Sequence, residues 1–419
     1  MAAGAQRPRR WWRRASAPGW VSGLQLASAG TTRATFLELF FDLVYVFALT
    51  RVSARAFEDL AVEAGGTGGW SPFTGTGKTL LLLLALWSVW QGTAWTTSRY
   101  DPYHFGLQAV VVTALVASMV MGVAIPRAFT VSGLAFAAAY VVAQVSRPLL
   151  LLVALGRHEY RPLKLRMLIT YLFLGVFWLA GAFLPTTPRV VLWAAALAGE
   201  YLASRFGWPV PGLGRSVLNR WQVIGEHLAE RYQQFFLVAL GETVLVAGLA
   251  YSGDPSGLAR TAAFGTTIVV SVLVWRIYFQ RAGQVLPEAV ARAVQPALIG
   301  RSAADTHLVM VIGLTAMALG YELTIEHPSG HPAAAWIAMV VGGPVLFLAG
   351  RARFEYEVFG RVSPSRWIAA LALLAAVPVL LHLATLVSAG AVAAALLAVA
   401  VADARRAWGR PPEQPAPPF

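Results

Sequence analysis

The chain of 419 residues contains no cysteine, which excludes disulfide staples, thiol nucleophiles and thiolate-bound metals. Charge is scarce: Asp, Glu, Lys and Arg together make up 13% of the residues, against roughly 25% in an ordinary soluble domain. Histidine is sparse and no HExxH occurs, which removes the usual helical zinc-protease site. Also missing are the short apolar runs of about 4–8 residues, bounded by turns, that buried parallel strands require. The amino terminus does not read as a secretory signal. Its basic cluster RPRRWWRR is followed by SAPGWVSGLQLASAG, without a clean apolar core or a small-residue cleavage site.

What fills the chain instead is hydrophobic sequence, 57% of all residues. Apolar runs of about twenty residues recur from Phe36 to Val401, the length that crosses a bilayer as a helix. The expected fold class is therefore all-α, a polytopic transmembrane helix bundle of about 12 spans. Spans are predicted near 36–57, 79–98, 105–125, 130–155, 164–184 and 189–205, then near 230–251, 257–282, 304–325, 333–350, 364–384 and 386–403. Alternate loops are basic. With Arg147 left inside the fourth span, one side carries 26 lysines and arginines and the other 6. By the positive-inside rule both termini are cytoplasmic, and the net charge of +13 reports orientation rather than nucleic-acid binding.

The organisation follows: a basic cytoplasmic tail over 1–35, a first six-helix half over 36–205, a connector over 206–229, a second half over 230–403 and a disordered tail over 404–419. The basic tail, with Trp11 and Trp12, is suited to the anionic headgroups of the inner leaflet, at about 1 kcal/mol per basic residue. Several other tryptophans (Trp70, Trp95, Trp208, Trp275, Trp367) fall near helix ends, where interfacial anchors sit. The halves echo one another weakly. LLLVALGRHEYR leaves the fourth span as LFLAGRARFEY leaves the tenth, and Asp42 and Glu242 each interrupt an aromatic-apolar run. Two parallel six-helix repeats would produce this pattern, an arrangement found among secondary transporters.

Charged side chains at bilayer depth are costly and usually mark partners or solute paths. At about 1.5 Å per residue, Asp42, Gln91, Arg147 and Arg276 fall in one layer roughly 9–12 Å from the cytoplasmic end, with Glu38 one turn below Asp42. Arg51, Glu242 and Glu322 form a second layer nearer the outside, at about 18–25 Å by the same rise. Pairing of Asp42 with Arg147 and of Glu242 with Arg51 would make these charges tolerable. As a set, the two layers point to a polar substrate or ion pathway.

Other signals carry less. Gly75-Thr76-Gly77-Lys78-Thr79 imitates a phosphate-binding loop, but Pro72 stands where the first glycine belongs and no strand precedes it. His227 and Glu230, at i and i+3, are weak metal candidates; a solvated helix end with Glu230 paired to Arg231 explains them better. His327-Pro328 reads as a helix stop. Gly241 and Gly248 would allow close helix approach.

Four stretches resemble the bacterial low temperature requirement protein A (LtrA) family. They are TFLELFFDLVYVFALTRVSA (Thr35 to Ala54), HLAERYQQFFLVALGETVLVAG (His227 to Gly248), WRIYFQRA (Trp275 to Ala282) and HLVMVIGLTAMALGYE (His307 to Glu322). Gln280 stands where that pattern leads one to expect an acid. The resemblance implies a polytopic inner-membrane protein and transfers no catalytic residue, cofactor or substrate. The expected function is a secondary transporter or ion-coupled permease for an unknown small solute or ion, with Asp42 and Glu242 as proton or cation sites. An ion channel and a membrane-embedded enzyme acting on a lipid-linked substrate are the alternatives.

Overall fold

A computed structural model describes residues 33–63, 71–155, 159–216, 225–253, 255–409, 411 and 413–418. Among the described residues the fold is helical throughout, with one isolated β-bridge between Val210 and Gly214. The first six helices are α1 (Phe36–Glu63), α2 (Ser71–Thr97), α3 (Phe105–Ala124), α4 (Gly133–Leu155), α5 (Arg161–Ala182) and α6 (Thr186–Arg205). They are followed by α7 (Gly225–Gly253), α8 (Leu258–Tyr278), α9 (Gln284–Arg292), α10 (Pro296–Glu326), α11 (Ala334–Val340), α12 (Gly342–Phe359), α13 (Pro364–Leu380) and α14 (Thr385–Ala407).

Every predicted span is occupied by helix, though not every one by a helix built like a membrane crossing. Eight segments are long and apolar enough to cross: α3, α4, α5, α7, α8, α10, the α11–α12 pair and α14. Of the others, α1 carries more charge, α2 and α6 are less apolar, and α13 has only 17 residues. Outward faces are apolar where a bilayer would touch them: Val112, Val116 and Val123 on α3, Phe173 and Val176 on α5, and Leu371 and Leu374 on α13 are all exposed. Away from the helix ends, the charges Glu38, Asp42, Arg147, Glu200 and Glu242 lie inside. That inversion is what a lipid solvent selects.

Several boundaries differ from the sequence expectation: α2 begins at Ser71 and α10 at Pro296, each eight residues early. The helix predicted near 333–350 breaks into α11 and α12 at Gly342-Gly343-Pro344, where proline removes one helical donor. A π-turn over Phe279–Gly283 leads into α9, whose buried Leu286, Ala289 and Val290 make a short amphipathic helix too polar to register as a span. α7 begins at Gly225, inside the expected connector, because His227 and Arg231 have buried partners there. In the described part of the tail beyond 404, α14 runs on to Ala407, Ala416 N–H donates to Val358 O at 2.9 Å, and Glu413 pairs with Arg361. Residues 1–32 of the basic tail, with Trp11 and Trp12, and Trp70 lie outside the described residues.

Close helix approach occurs at other glycines than expected. A Cβ on Gly241 or Gly248 would meet nothing within 4 Å. Between α10 and α12, a Cβ on Gly313 would lie 2.8 Å from Gly343 O, and one on Gly343 would lie 2.8 Å from Met317 N. These backbones touch because no side chain intervenes, the small-residue packing that membrane helices use.

The two halves share an order of neighbours. α1 packs on α2 and α3, α3 on α4, α4 on α5 and α5 on α6. In the second half α7 packs on α8 and α10, α10 on α12, α12 on α13 and α13 on α14. α1 and α7 meet at the centre. One position breaks the correspondence: α8 lies along α14, whereas α2 and α6 are barely in contact. A cavity occupies the gap.

Candidate functional site

Two groups of charged residues sit inside the bundle. The first joins α1 to α7. The end of the bundle at which α1 begins is its proximal end.

α1 starts on a capping box. Glu38 Oε2 accepts from Thr35 N–H at 2.8 Å and the Thr35 hydroxyl at 3.0 Å, while Glu38 N–H donates to Thr35 Oγ1 at 3.3 Å. One turn on, Asp42 takes a bidentate pair from Arg231 of α7, at 2.7 Å on both arms, and a bond from Trp90 Nε1 of α2 at 2.8 Å. Glu38 also faces His227 Nε2 at 3.3 Å and Arg231 Nε at 3.7 Å. His227 Nδ1 meets the Ser98 hydroxyl at 2.9 Å. The side chains of Glu38, Asp42, His227 and Arg231 are at most 3% exposed.

These contacts form a ladder in constant register. Glu38 opposes His227 and Asp42 opposes Arg231, each pair 189 residues apart, so the i,i+4 spacing on one helix matches that on its parallel neighbour. Tyr45 stacks edge-on to Phe235 further along, ring centroids 5.4 Å apart. The register continues to Ser53 and Glu242, again 189 apart. Glu242 is 1% exposed, and neither carboxyl oxygen makes a hydrogen bond of ordinary geometry among the described residues. The Ser53 hydroxyl and the Glu322 carboxyl of α10 are the groups that act on it.

Arg147 does not reach Asp42. It crosses from α4 toward α2, where a Cβ on Gly92 would lie 1.9 Å from its Nη1, so a larger residue there would push the guanidinium aside. Its Nη2 donates to Gln144 Oε1 and the Tyr171 hydroxyl, both at 2.8 Å. Nε and Nη1 are buried and have no partner among the described residues. Arg147 lines a cavity of about 670 Å³ between α2, α5, α6 and the proximal part of α10. Gln91 lines it too, as do Arg99, Lys164, Glu200, Arg301 and Asp305.

The cavity has a polar mouth and an apolar apex. Lys164, 4% exposed, sits over the Tyr100 ring at 5.4 Å, and the charges that act on it are the cations Arg99 and Arg147. Burial pushes the Tyr100 hydroxyl up to about 12, so this phenol is neutral and adds no counter-charge. Among the described residues Glu200 is the one acid deep in the cavity. It accepts from Tyr140 (2.6 Å), Gln144 (3.2 Å) and Trp178 (3.3 Å). Asp305 pairs with Arg205 at the mouth. Toward the distal end of α2 the lining turns to Leu80, Leu81 and Leu84.

The two expected layers are thus rearranged. Arg276 is exposed at the end of α8 and joins neither group. Arg51 is half-buried and makes no ion pair among the described residues, so it does not neutralise Glu242. Arg231, expected to be solvated and paired with Glu230, is 0% exposed; Glu230 instead accepts from Ala34 N–H and Gln234, each at 3.1 Å. His227 and Glu230 therefore serve different partners, and no group of three metal-ligating side chains occurs among the described residues. The phosphate-loop lookalike is the first part of α2. Trp95 and Trp208 line the cavity, while Trp275 and Trp367 are about half exposed, at 49% and 48%. The sequence does hold the signal for the ladder, ExxxD facing HxxxR, but only the helix pairing makes it readable.

No solved structure matches the chain. An uncharacterized protein of Rhizobium meliloti (strain 1021) is 32% identical over 358 residues, 84% of each chain. The model for bacterial low temperature requirement A protein (LtrA) matches residues 33–401, a stretch that contains both the α1–α7 ladder and every helix around the cavity. With its apolar-faced helices and this match over most of its length, the chain is a membrane protein of the bacterial low temperature requirement A (LtrA) family.

Proposed function

We propose that this chain is a secondary transporter that passes a small solute through the α2–α6 cavity. The carrying observation is Arg147, a buried guanidinium with two nitrogens unanswered, on the wall of a 670 Å³ space. A cation held open at this depth is expensive unless something polar visits it. The cavity lies where first-half helices face α10 of the second half, the kind of seam at which repeat transporters place their sites. The shared neighbour order supports two parallel six-helix repeats, rocking against one another about the α1–α7 contact.

Asp42 is neutralised by Arg231 and serves to hold that contact. Glu242, with no cation beside it among the described residues, is the better coupling site for a proton or cation, together with Glu322. The basic residues at the proximal end support a cytoplasmic mouth and both termini inside. The interfacial enzyme would need Glu38 and His227 free for chemistry, and both are spent in the ladder.

The test is reconstitution of the full chain into proteoliposomes loaded with a pH-sensitive dye, challenged with pools of acidic, basic and neutral organic solutes. Solute-dependent, saturable proton movement that Glu242→Gln and the cavity-filling Ala198→Trp abolish is the expected result. Unitary currents without saturable exchange would make the chain a channel. Silence to every pool from folded protein would refute the transport reading.

A further inference from the structure

We infer that the α2–α6 cavity binds an anionic amphiphile, with a carboxylate or phosphate head between Arg147 and Lys164 and an apolar body against Leu80, Leu84 and Leu197. This names the solute class for the transport reading above and rests on that reading for every step after binding.

The charge count decides the sign. Four cations line the space (Arg99, Arg147, Lys164, Arg301) against two acids, Glu200 and Asp305. Neither acid is available to the deep cations as a full partner. Glu200 is hydrogen-bonded by three neutral donors and feels Arg147 only through space, and Asp305 is held by Arg205. Lys164 has no hydrogen-bond or ion-pair partner among the described residues, and Arg147 keeps two buried nitrogens unbonded. Buried cations of this kind are answered by an anion through charge-assisted hydrogen bonds, the strongest class available. A cationic solute would add repulsion, and a neutral one would leave the donors unpaired.

The walls decide the rest. Beyond the layer of Gln91, Gly92 and Arg147 the lining is mostly apolar, with Leu80, Leu81, Leu84, Trp87 and Leu197, and Ser88 is its one hydroxyl among the described residues. A bare inorganic anion would leave that apex unfilled, whereas an apolar body buries there at about 25 cal/mol per Å². The volume, about 670 Å³, lies within the range of roughly 300–1,000 Å³ typical of sites for drug-sized ligands. Gly92 belongs to the device: a Cβ there would displace the Arg147 guanidinium from its place against α2.

The test uses the full chain in nanodiscs of zwitterionic phosphatidylcholine and three ligands sharing one body: 4-phenylbutyrate, 4-phenylbutyramide and 4-phenylbutylammonium. Calorimetric titration is expected to show the acid binding at least about tenfold tighter than the amide, as one charge-assisted bond implies, and the ammonium weakest. Lys164→Met and Arg147→Gln should each weaken the acid about tenfold and leave the amide unmoved, with Arg147→Lys restoring part. If Arg147→Gln does not fold, Lys164→Met carries the same test. Equal or tighter binding of the amide or ammonium, or an acid affinity indifferent to these substitutions, overturns the assignment. Repeating the titration with phosphatidylglycerol in the disc separates two sources of the anion. Competition identifies a lipid headgroup and its absence a soluble organic anion; either outcome supports the site. Flux of a non-anionic solute without acid binding sinks this inference alone, whereas acid binding without any flux sinks the transport reading alone.

Discussion

Replacing Asp42 with asparagine should expose how much the α1–α7 ladder contributes. The carboxylate receives both arms of Arg231 at 2.7 Å and Trp90 at 2.8 Å, and both ion-pair partners are essentially inaccessible. Removing one partner of a buried ion pair costs about 3–5 kcal/mol, because the other charge is left behind. Asp42→Asn should fall near the lower figure: the amide oxygen still accepts one N–H, and Glu38 stays 3.7 Å from Arg231 Nε. Arg231→Met should fall near the upper one, since it strands Asp42 and weakens the hold on Glu38. The double variant Asp42→Leu/Arg231→Met removes both charges and keeps apolar volume, so it should cost much less than the two single changes together. The assay is reversible unfolding in mixed dodecyl maltoside and dodecyl sulfate micelles, followed by tryptophan fluorescence. A cost below about 1 kcal/mol for Asp42→Asn, or a double variant that is simply additive, would refute a stabilising buried pair.

Further outcomes rest on the same geometry. Glu242→Gln removes a buried acid that lacks a cation, so stability should hold or rise by about 1 kcal/mol while solute-coupled proton movement is lost; a clear loss of stability would mean an unseen partner. Gly92→Ala places a methyl 1.9 Å from Arg147 Nη1, so the folded variant should lose acid binding with little change in unfolding midpoint. Gly343→Ala pushes a methyl against the α10 backbone, 2.8 Å from Met317 N, and should destabilise by about 1–3 kcal/mol through overpacking. Thr35→Ala removes one side of the α1 capping box, with an expected cost of about 1 kcal/mol in the same unfolding assay.

Helix placement is legible in the sequence because lipid length and hydropathy act locally. Phe105 to Ala124 cannot be other than a buried or lipid-facing helix, whatever it packs against. Partnership is less legible. Depth arithmetic puts Asp42, Arg147 and Arg276 in one layer, yet depth says nothing about azimuth: Arg147 turns toward α2 and α5, and Arg276 turns outward. Arg231 reads as solvated because it stands at a helix end, whereas a facing ExxxD on α1 draws that end into the core. The cavity leaves no trace in the sequence, since leucines on α2 look alike whether they touch α6 or open space.

Composition and periodicity alone determined an all-helical membrane chain with charged residues inside its spans, because the cost of burying charge and the span of a bilayer are properties of each segment by itself. Which acid meets which cation, and where a gap is left between helices, depends on how the segments rotate against one another. Only the packed bundle decided that Asp42 is satisfied, that Glu242 is not, and that Arg147 faces an open cavity.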